Sequence, residues 1–320
     1  MAAAKGKVCV TGAGGYLGSW LVRLLISKDY FVHGTVREPL DQKYAHLNRL
    51  DKAPENLSLF KADLLDCNSL CSAIEGCTGV FHVASPVPSI TVPNPEVEVI
   101  EPAVKGTLNV LEACVRAKAK RVVLVSSVAA VNMNPSLPTD QVIDESCWSS
   151  KEHCRATKNW YCFSKVEAES KAWEYAKRTG LDLIVICPTL ILGPVLQSSI
   201  NASSRVLIKL LKGGHESMEN KHRWVVDVRD VAEALVLVHE KPEAEGRYIC
   251  TAHGVTTRNL VEKLRGMYPN YSFPKNWIDV EGEEGKVSSE RLQRLGWSFC
   301  PLEETLVDSV ESYRKAGMLE

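Results

Sequence analysis

The sequence predicts an α/β protein built on a doubly wound parallel sheet, followed by a smaller α/β cap. Six strand-like runs rich in Val, Ile and Leu alternate with amphipathic runs through the first two-thirds of the 320 residues. Such continuous apolar strands are typical of a parallel sheet covered by helices on both faces. After Pro188 the alternation loosens into connections rich in Pro, Gly, Ser and Asn. We therefore expect one unit over residues 1–190, to which residues 225–240 return, and a second, smaller unit over residues 191–320.

Each element is predicted from its own pattern. Strands are expected where β-branched and other apolar residues follow one another between turn signals: 8–10, 31–36, 57–60, 79–83, 122–126 and 183–187. Helices are expected where apolar residues recur at three- and four-residue spacing: 17–27, 68–75, 97–117, 159–179, 203–211, 228–240, 257–267 and 302–316.

Composition excludes several kinds of partner. The formal net charge is −1, so the whole chain has no electrostatic reason to bind nucleic acid or an anionic membrane. No apolar run reaches the roughly 20 residues that a membrane span needs. The eleven cysteines are scattered singly and the first residues lack an apolar signal core, which predicts a reduced, cytoplasmic protein. Cys147, His153 and Cys154 lie close together without a second ligand pair, so no metal site is expected.

Three glycines lie between the first predicted strand and the first predicted helix, in the pattern Gly12-x-x-Gly15-x-x-Gly18. Glycines at this spacing allow a sharp turn, close approach of the backbone to a pyrophosphate, and packing of the helix on the strand. The anion then binds at the helix amino terminus, where Tyr16 and Leu17 begin the helix and free N–H groups favour negative charge. The pattern predicts a dinucleotide-binding turn; the alternative is a tight turn without a ligand.

Further candidates for the coenzyme site lie where other strands end, because ligands of open α/β sheets bind at the carboxyl ends of the strands. They are Asp63, Leu64, Ala84, Ser85, Pro188 and Thr189. Asp63 is expected either to accept a hydrogen bond from an adenine amine or to cap the turn before the next helix.

NADPH is the expected coenzyme. An NAD-binding fold usually has an Asp or Glu after the second strand, for the ribose 2′-hydroxyl. Here Arg37 ends that strand and Lys43 follows, and cations at this place suit a 2′-phosphate. The alternatives are that both are solvated surface charges, or that the neighbouring Glu38 selects NAD.

Tyr161 and Lys165 are the predicted acid–base pair, because residues four apart on a helix lie on one face. A neighbouring ammonium favours the ionised phenol, so we expect it to bring the pKa of Tyr161 from about 10 toward the working range. Lys165 is also expected to bind the nicotinamide ribose. Ser127 is the expected donor to the substrate carbonyl oxygen, with Ser126 as its rival. Asn109 is expected to support a proton relay or to form a bond across helices.

The order of these features, a glycine turn, a strand-end serine and a helical Tyr-x-x-x-Lys, resembles the extended short-chain dehydrogenase/reductase superfamily over nearly the whole chain. Finer motifs resemble plant cinnamoyl-CoA reductases and the related dihydroflavonol reductases: residues 81–86 (FHVASP), 101–107 (EPAVKGT), 144–148 (DESCW) and 158–162 (KNWYC). The resemblance implies a Rossmann fold and NADPH-dependent reduction of a phenylpropanoid carbonyl by Ser127, Tyr161 and Lys165. It also implies that Arg37 and Lys43 grip the 2′-phosphate as an Arg-x5-Lys pattern.

The chain departs from the cinnamoyl-CoA reductase pattern at positions that bear on the substrate. Phe163 and Ser164 stand where that family has Tyr and Gly, and Val206 stands where its thioester reductases have a His before the Lys matched by Lys209. Arg258 matches a third position that contacts coenzyme A in that family. The resemblance therefore implies a partial footprint for coenzyme A; alternatively, Lys209 and Arg258 are ordinary exposed residues.

The substrate pocket is expected between the loop after the fourth strand, the segment after Pro188 and the cap, since such pockets are mostly apolar. The candidates are Pro86, Val87, Thr189, Leu192, Ile200, Val206, Trp224 and Ile278. The alternative is that these side chains belong to the hydrophobic core and do not contact the substrate.

The predicted partner is a small aromatic carbonyl compound, and a coenzyme A thioester is the first hypothesis, reduced to the hydroxycinnamaldehyde. The second is reduction of a cinnamaldehyde to its alcohol, and the third is reduction of a ketone. A catalytically silent NADP-binding regulator is the alternative outside enzymes. The sequence leaves monomer and dimer equally open.

Overall fold

The computed structural model describes residues 5–85, 93–138, 140–213, 217–280 and 286–320. Strands in these ranges are β1 Lys7–Thr11, β2 Phe31–Val36, β3 Leu57–Lys61, β4 Gly79–His82, β5 Arg121–Val125, β6 Leu183–Pro188, β7 Leu190–Leu192, β8 Ser217–Asn220, β9 His222–Asp227, β10 Gly246–Cys250, β11 His253–Thr256 and β12 Asn276–Asp279.

Helices separate these strands: α1 Tyr16–Ser27, α2 Ala45–Asn48, α3 Ala53–Asn56, α4 Cys67–Ile74, α5 Glu101–Arg116, α6 Lys151–Ala156, α7 Trp160–Thr179, α8 Ala202–Lys212, α9 Val228–Glu240, α10 Thr257–Met267, α11 Glu290–Arg294 and α12 Leu302–Lys315. Two 3-10 helices cover Gln42–Tyr44 and Val128–Ala130, and a π-helix covers Glu96–Ile100. Within the described ranges no helix is long and apolar enough to cross a membrane.

The main sheet has seven parallel strands in the order β10-β6-β5-β4-β1-β2-β3. The chain winds outward in one direction from β1 through β2 to β3, and then crosses back to β4 and continues in the other direction. The direction of winding therefore reverses between β1 and β4. In an open α/β sheet the crevice for ligands lies at this reversal, beyond the carboxyl ends of the strands.

Helices cover both faces of this sheet. On one face α1 and α9 pack together, and Leu21 and Leu235 are fully buried between them and the strands. On the other face α4, α5 and α7 contribute Leu70, Leu111 and Ala172, in that order, to a second buried cluster. Every residue of β6 is buried. This two-sided cover is the reason why the strands are apolar without alternation.

The later part of the chain builds a smaller core. A three-stranded sheet, β11-β9-β7, and a two-stranded sheet, β12-β8, accompany helices α8, α10 and α12. Leu207, Leu260 and Leu306, one from each of these helices, are fully buried in a third cluster.

The predicted fold class is confirmed, and each predicted strand and helix is present within a few residues of its predicted bounds, but two features differ. First, β10 joins the main sheet beside β6, although its sequence lies within residues 191–320. Second, the helix predicted over 97–117 begins as the π-helix and becomes α-helical only at Glu101. Pro102 explains this change, because it has no N–H to donate to the carbonyl of Glu98.

Candidate active site

A cavity of about 1120 Å³ opens at the carboxyl ends of the parallel strands. It gathers most of the residues that the sequence singled out. Those lining it are Gly12, Gly15, Tyr16, Leu17, Arg37, Asp63, Leu64, Ala84, Ser85, Ser127, Tyr161, Lys165, Pro188 and Thr189. Lys43 does not line it. Pro86 and Val87 lie outside the described residues.

The glycine turn has the geometry that a pyrophosphate needs. Gly12 has φ of +68°, a conformation that favours glycine, and a Cβ on Gly12 would lie 3.0 Å from the Cα of Ala84. A Cβ on Gly18 would lie 2.2 Å from the carbonyl oxygen of Gly12, which requires helix α1 to approach the turn without a side chain. Gly15 precedes α1 and supplies no side-chain cap, so the N–H groups at the helix start are open to an anion.

Two residues that we did not predict as site residues hold this turn in place. The Thr11 hydroxyl accepts hydrogen bonds from the N–H groups of Val83 and Ala84 and lies 2.8 Å from Nδ1 of His82. Burial lowers the pKa of His82 to about 3, and the nearby Lys165 acts in the same direction. His82 is therefore neutral and accepts the Thr11 proton at Nδ1. The motif at residues 81–86 was a signal for His82, but its partner lies 71 residues away.

Tyr44 is a second unpredicted feature, at the end of the cavity where Arg37 lies. A Cβ on Gly14 would lie 2.2 Å from the Tyr44 ring, so this glycine leaves room for the ring. The ammonium of Lys43 forms an ion pair of 2.8 Å with Asp41 and lies 4.8 Å from the centre of the Tyr44 ring. Arg37 is exposed and forms no ion pair or hydrogen bond within the described part of the chain. Of the two cations predicted for the 2′-phosphate, Arg37 therefore lines the cavity, whereas Lys43 is paired with Asp41 outside its wall.

Asp63 and Asn109 both take part in the loop after β3. The carboxylate of Asp63 accepts a hydrogen bond of 2.8 Å from the N–H of Leu65, which is the turn-capping alternative. The side-chain amide of Asn109 donates a hydrogen bond of 2.8 Å to the carbonyl oxygen of Leu64. Asn109 therefore bonds from helix α5 to this loop, and not to another helix.

Ser127, Tyr161 and Lys165 meet in one wall of the cavity. Ser127 follows β5, and its hydroxyl accepts a hydrogen bond of 3.1 Å from the N–H of Ala129. Tyr161 and Lys165 lie on α7, whose N-cap Asn159 accepts a hydrogen bond from the N–H of Cys162. The ammonium of Lys165 lies 6.0 Å from the centre of the Tyr161 ring. The local cap and the four-residue spacing thus place the phenol and the ammonium beside the strand-end serine.

Ser126, the alternative donor to the substrate, forms its hydrogen bond inside the protein. Ser126 is buried, and its hydroxyl donates a hydrogen bond of 2.6 Å to the carboxylate of Glu169. Its only proton therefore points into the protein. Ser127 keeps its proton for another acceptor.

Burial, and not the neighbouring cation, dominates the pKa values of this pair. Burial raises the pKa of Tyr161, and the hydrogen bond with Ser127 opposes it only in part. This is opposite to the expected direction, because the phenol is almost fully desolvated. Burial also lowers the pKa of Lys165 to about 8, against opposing effects of Cys187 and Glu169. At neutral pH the phenol is therefore protonated, and the ammonium is close to its own midpoint.

Most of the predicted substrate residues do not line this cavity. At the cap the structure places Asn201, Ala202 and Ser203 there instead, at the amino end of α8. Leu192 is buried in the third core cluster, and the exposed fractions of Ile200 and Ile278 are 40% and 53%. Val206, Lys209, Trp224 and Arg258 also lie outside the cavity wall.

The structure places each of the four residues outside the cavity wall in a different local setting. Val206 is half-buried one turn further along α8, and Lys209 is exposed on the same helix. Trp224 lies on β9, with its ring centre 4.9 Å from that of His222. Arg258 forms an exposed ion pair of 3.3 Å with Glu262. Among the described residues, no cluster of three or more His, Cys, Asp or Glu is arranged to hold a metal ion.

Comparison with known proteins agrees with this architecture. Residues 8–250 match the NAD dependent epimerase/dehydratase family. Cinnamoyl-CoA reductase 1 of Petunia hybrida is 46% identical over 315 residues, which cover 98% of this chain and 93% of that protein.

Solved structures give the same result. Vestitone reductase from alfalfa superposes with a TM-score of 0.85 at 31% identity, covering 98% of this chain and all of that one. Gre2 of Candida albicans, solved in complex with NADPH, superposes with a TM-score of 0.83 at 27% identity over 97% of this chain and 99% of that one. These matches confirm the predicted resemblance. The chain therefore belongs to the NAD-dependent epimerase/dehydratase family, and within it to the reductases similar to cinnamoyl-CoA reductase.

Proposed function

We propose that this chain is an NADPH-dependent reductase that transfers hydride to the carbonyl carbon of a phenylpropanoid, converting a hydroxycinnamoyl-CoA thioester to the hydroxycinnamaldehyde. The observation that carries the proposal is the shared cavity: Ser127, Tyr161 and Lys165 form one wall, and the glycine turn forms another. Kinship with cinnamoyl-CoA reductases supports the choice of substrate class. Residues 1–190 are proposed to bind the coenzyme and residues 191–320 the substrate, in a protein of the cytoplasm.

The residues present fit NADPH. The turn at Gly12 and Gly15, with the open amino end of α1, suits the pyrophosphate, and Arg37 suits a 2′-phosphate. The coenzyme supplies the hydride when it is bound. Lys165 lines the same cavity and is proposed to bind the nicotinamide ribose.

Side chains of the protein bind the substrate carbonyl oxygen and supply the proton. Ser127 donates a hydrogen bond to the carbonyl oxygen, where negative charge grows as the carbonyl carbon is reduced. The raised pKa of Tyr161 keeps its phenol protonated at neutral pH, so that it can give its proton to that oxygen. In a thioester the carbon–sulfur bond then breaks, the aldehyde carbonyl forms, and the thiol of coenzyme A leaves with the proton. In an aldehyde or ketone the proton stays on the oxygen and the product is an alcohol.

One observation favours reduction of an aldehyde or ketone as a second candidate function. Neither Lys209 nor Arg258 lies in the cavity wall, and Arg258 is paired with Glu262. A small carbonyl compound needs neither contact.

The deciding experiment measures NADPH oxidation with feruloyl-CoA and with coniferaldehyde, with NADH as control, while released coenzyme A is monitored. Turnover with release of coenzyme A supports the thioester reductase. Turnover of coniferaldehyde alone supports the alcohol-forming reductase. NADPH that binds but is oxidised by no carbonyl compound supports the silent regulator and contradicts both enzymes.

Arg37→Ala is expected to weaken NADPH binding by roughly tenfold or more and to leave NADH binding unchanged, since a charge-assisted hydrogen bond contributes about 1.5–3 kcal/mol. Lys43→Ala is expected to have a smaller effect, because Lys43 must first give up its ion pair with Asp41. Quenching of protein fluorescence by each coenzyme measures both dissociation constants. Equal losses for NADH and NADPH in Arg37→Ala contradict the assignment of Arg37 to the 2′-phosphate.

Val206→His is expected to raise kcat/KM for feruloyl-CoA about two- to tenfold, the effect of one added hydrogen bond, without raising it for coniferaldehyde. Val206 lies one helical turn after Ser203, which lines the cavity, so its side chain shares that face of α8. Lys212→His is the matched control, because Lys212 is exposed at the far end of the same helix. No gain with the thioester counts against a role of α8 in thioester use.

A further inference from the structure

A buried group of charges lies directly behind the proposed acid–base pair. Lys165, Glu169 and Arg247 are only 8%, 1% and 7% exposed. Lys165 and Glu169 lie one turn apart on α7, and Arg247 comes from β10 at the edge of the main sheet. Burying a charge is costly unless it is paired, so this arrangement requires an explanation.

Glu169 is held by donors from several elements. An Arg247 nitrogen lies 2.6 Å from its Oε1, and the Ser126 hydroxyl donates a hydrogen bond of 2.6 Å to its Oε2. The indole N–H of Trp173 donates a longer one, of 3.3 Å. Nη2 of Arg247 also donates a hydrogen bond of 3.4 Å to Oε2. Because Arg247, Ser126 and Trp173 all donate to its oxygens, the Glu169 side chain is a carboxylate.

Arg247 is fixed in turn. Its guanidinium donates hydrogen bonds of 2.8 Å and 3.1 Å to the carbonyl oxygens of Cys147 and Glu145, and its centre lies 3.9 Å from the centre of the Trp148 ring. The carboxylate of Glu169 is therefore fixed by a residue that is itself fixed.

Lys165 has no carboxylate of its own: it forms no ion pair within the described part of the chain, and its ammonium donates one long hydrogen bond, 3.4 Å, to the carbonyl oxygen of Val125 on β5. Titratable groups face it from three other elements. They are His82 from β4, Cys187 from β6, and Tyr161 and Glu169 from its own helix, with Arg247 from β10 behind Glu169.

Of these groups, Glu169 is the anion. Burial raises the pKa of the Cys187 thiol far above neutrality, so this thiol carries no charge at the working pH. His82 is neutral because its pKa is lowered to about 3. Tyr161 is a neutral phenol because burial raises its pKa.

We propose that Glu169 is a positioning residue that keeps Lys165 in its ammonium form. Arg247 and Ser126 set the strength of this effect, because they hold the Glu169 carboxylate away from direct contact with the Lys165 ammonium. The proposal rests on the proposed function, in which Lys165 binds the nicotinamide ribose, and adds to it that Lys165 does so as an ammonium group. Glu169 does not touch the substrate and acts only through Lys165.

This role predicts shifts of opposite sign. Glu169→Gln keeps the size and the acceptor oxygen but removes the anion, so the midpoint of Lys165 is expected to fall by about one pH unit. Arg247→Gln frees the carboxylate to approach Lys165, so the midpoint is expected to rise by about the same amount. If Glu169 and Arg247 only pack, their two substitutions do not shift the Lys165 midpoint in opposite directions.

Two measurements test this. With lysine labelled at the ε-carbon, the NMR signal absent in Lys165→Met is that of Lys165, and its titration gives the midpoint directly without any substrate. The pH profile of kcat with a reducible carbonyl substrate reads the same group, and kcat of Glu169→Gln at pH 8 is expected to lie roughly tenfold below its own plateau at low pH, against about twofold for the parent. Glu167→Gln is the matched control, since Glu167 lies two residues earlier on α7 in an outer ion pair with Lys151.

Each single variant leaves a buried partner unpaired, so thermal unfolding must first establish that it folds. The double variant Glu169→Gln with Arg247→Gln removes both charges together, and its midpoint is expected to lie below that of the parent and above that of Glu169→Gln, where the Arg247 cation is left unpaired. Three results would overturn the proposal. They are a Lys165 midpoint that does not shift, shifts of the same sign in both single variants, and a double variant with the midpoint of the parent. If no carbonyl compound is reduced, the proposed function fails, and the NMR titration still decides the role of Glu169.

Discussion

Tyr161→Phe is expected to lower kcat by about 10² or more while the dissociation constant of NADPH changes little, in line with the usual contribution of a general acid. The substitution removes the hydroxyl that we propose to protonate the substrate oxygen and keeps the ring that lines the cavity. The buried phenol holds its proton at neutral pH, so the loss is expected across the whole neutral range. Single-turnover rates of NADPH oxidation measure the chemical step, and fluorescence titration measures binding.

Tyr175→Phe is the matched control for this variant. Tyr175 lies on the same helix α7, and its hydroxyl donates to the carboxylate of Glu112, away from the cavity. This variant loses the same atom and is expected to keep most of its activity. Turnover of Tyr161→Phe close to that of the parent contradicts the assignment of Tyr161 as the acid.

Gly18→Ala is expected to lower the free energy of unfolding by about 1–3 kcal/mol and to weaken NADPH binding by roughly tenfold or more. The added methyl group would lie 2.2 Å from the carbonyl oxygen of Gly12, which belongs to the backbone and cannot rotate away. Relief requires α1 to move off the turn, and the helix amino end then no longer meets the pyrophosphate. Chemical denaturation and fluorescence titration of NADPH measure the two effects.

Gly266→Ala is the control that the chain itself offers. Gly266 also lies in a helix, α10, and a Cβ there would meet nothing within 4 Å. Alanine is expected to stabilise this helix by as much as about 1 kcal/mol, because glycine has the lower helix propensity. If both variants behave alike, the close approach of α1 to the turn is not what Gly18 provides.

Features carried by a single segment could be predicted from the sequence. The glycine turn, the four-residue spacing of Tyr161 and Lys165, and the apolar strands depend on neighbours in the chain, so the pattern itself contains the geometry. The choice between Ser126 and Ser127 could not be made in this way. It depends on Glu169, which lies 43 residues from Ser126.

Features that depend on distant segments were missed or misplaced. The contact of Tyr44 with Gly14 depends on how the loop after β2 folds back over the turn. The direction of the pKa shift of Tyr161 was wrong because the degree of burial is a property of the whole site. The position of β10 beside β6, and with it the pairing of Arg247 with Glu169, is set by topology rather than by local spacing.

The return of the chain to the main sheet after the cap decides whether its parts are separable. A fragment that ended at residue 190 would lack β10 and leave the backbone of β6 as an open edge, although every residue of that strand is buried in the whole protein. It would also lack α9 and uncover the apolar side of α1. Open edges and bared apolar faces are the usual starting points of aggregation. Residues 1–190 alone therefore do not complete the seven-stranded sheet, and the segment between β6 and α9 is an insertion within the unit that carries it.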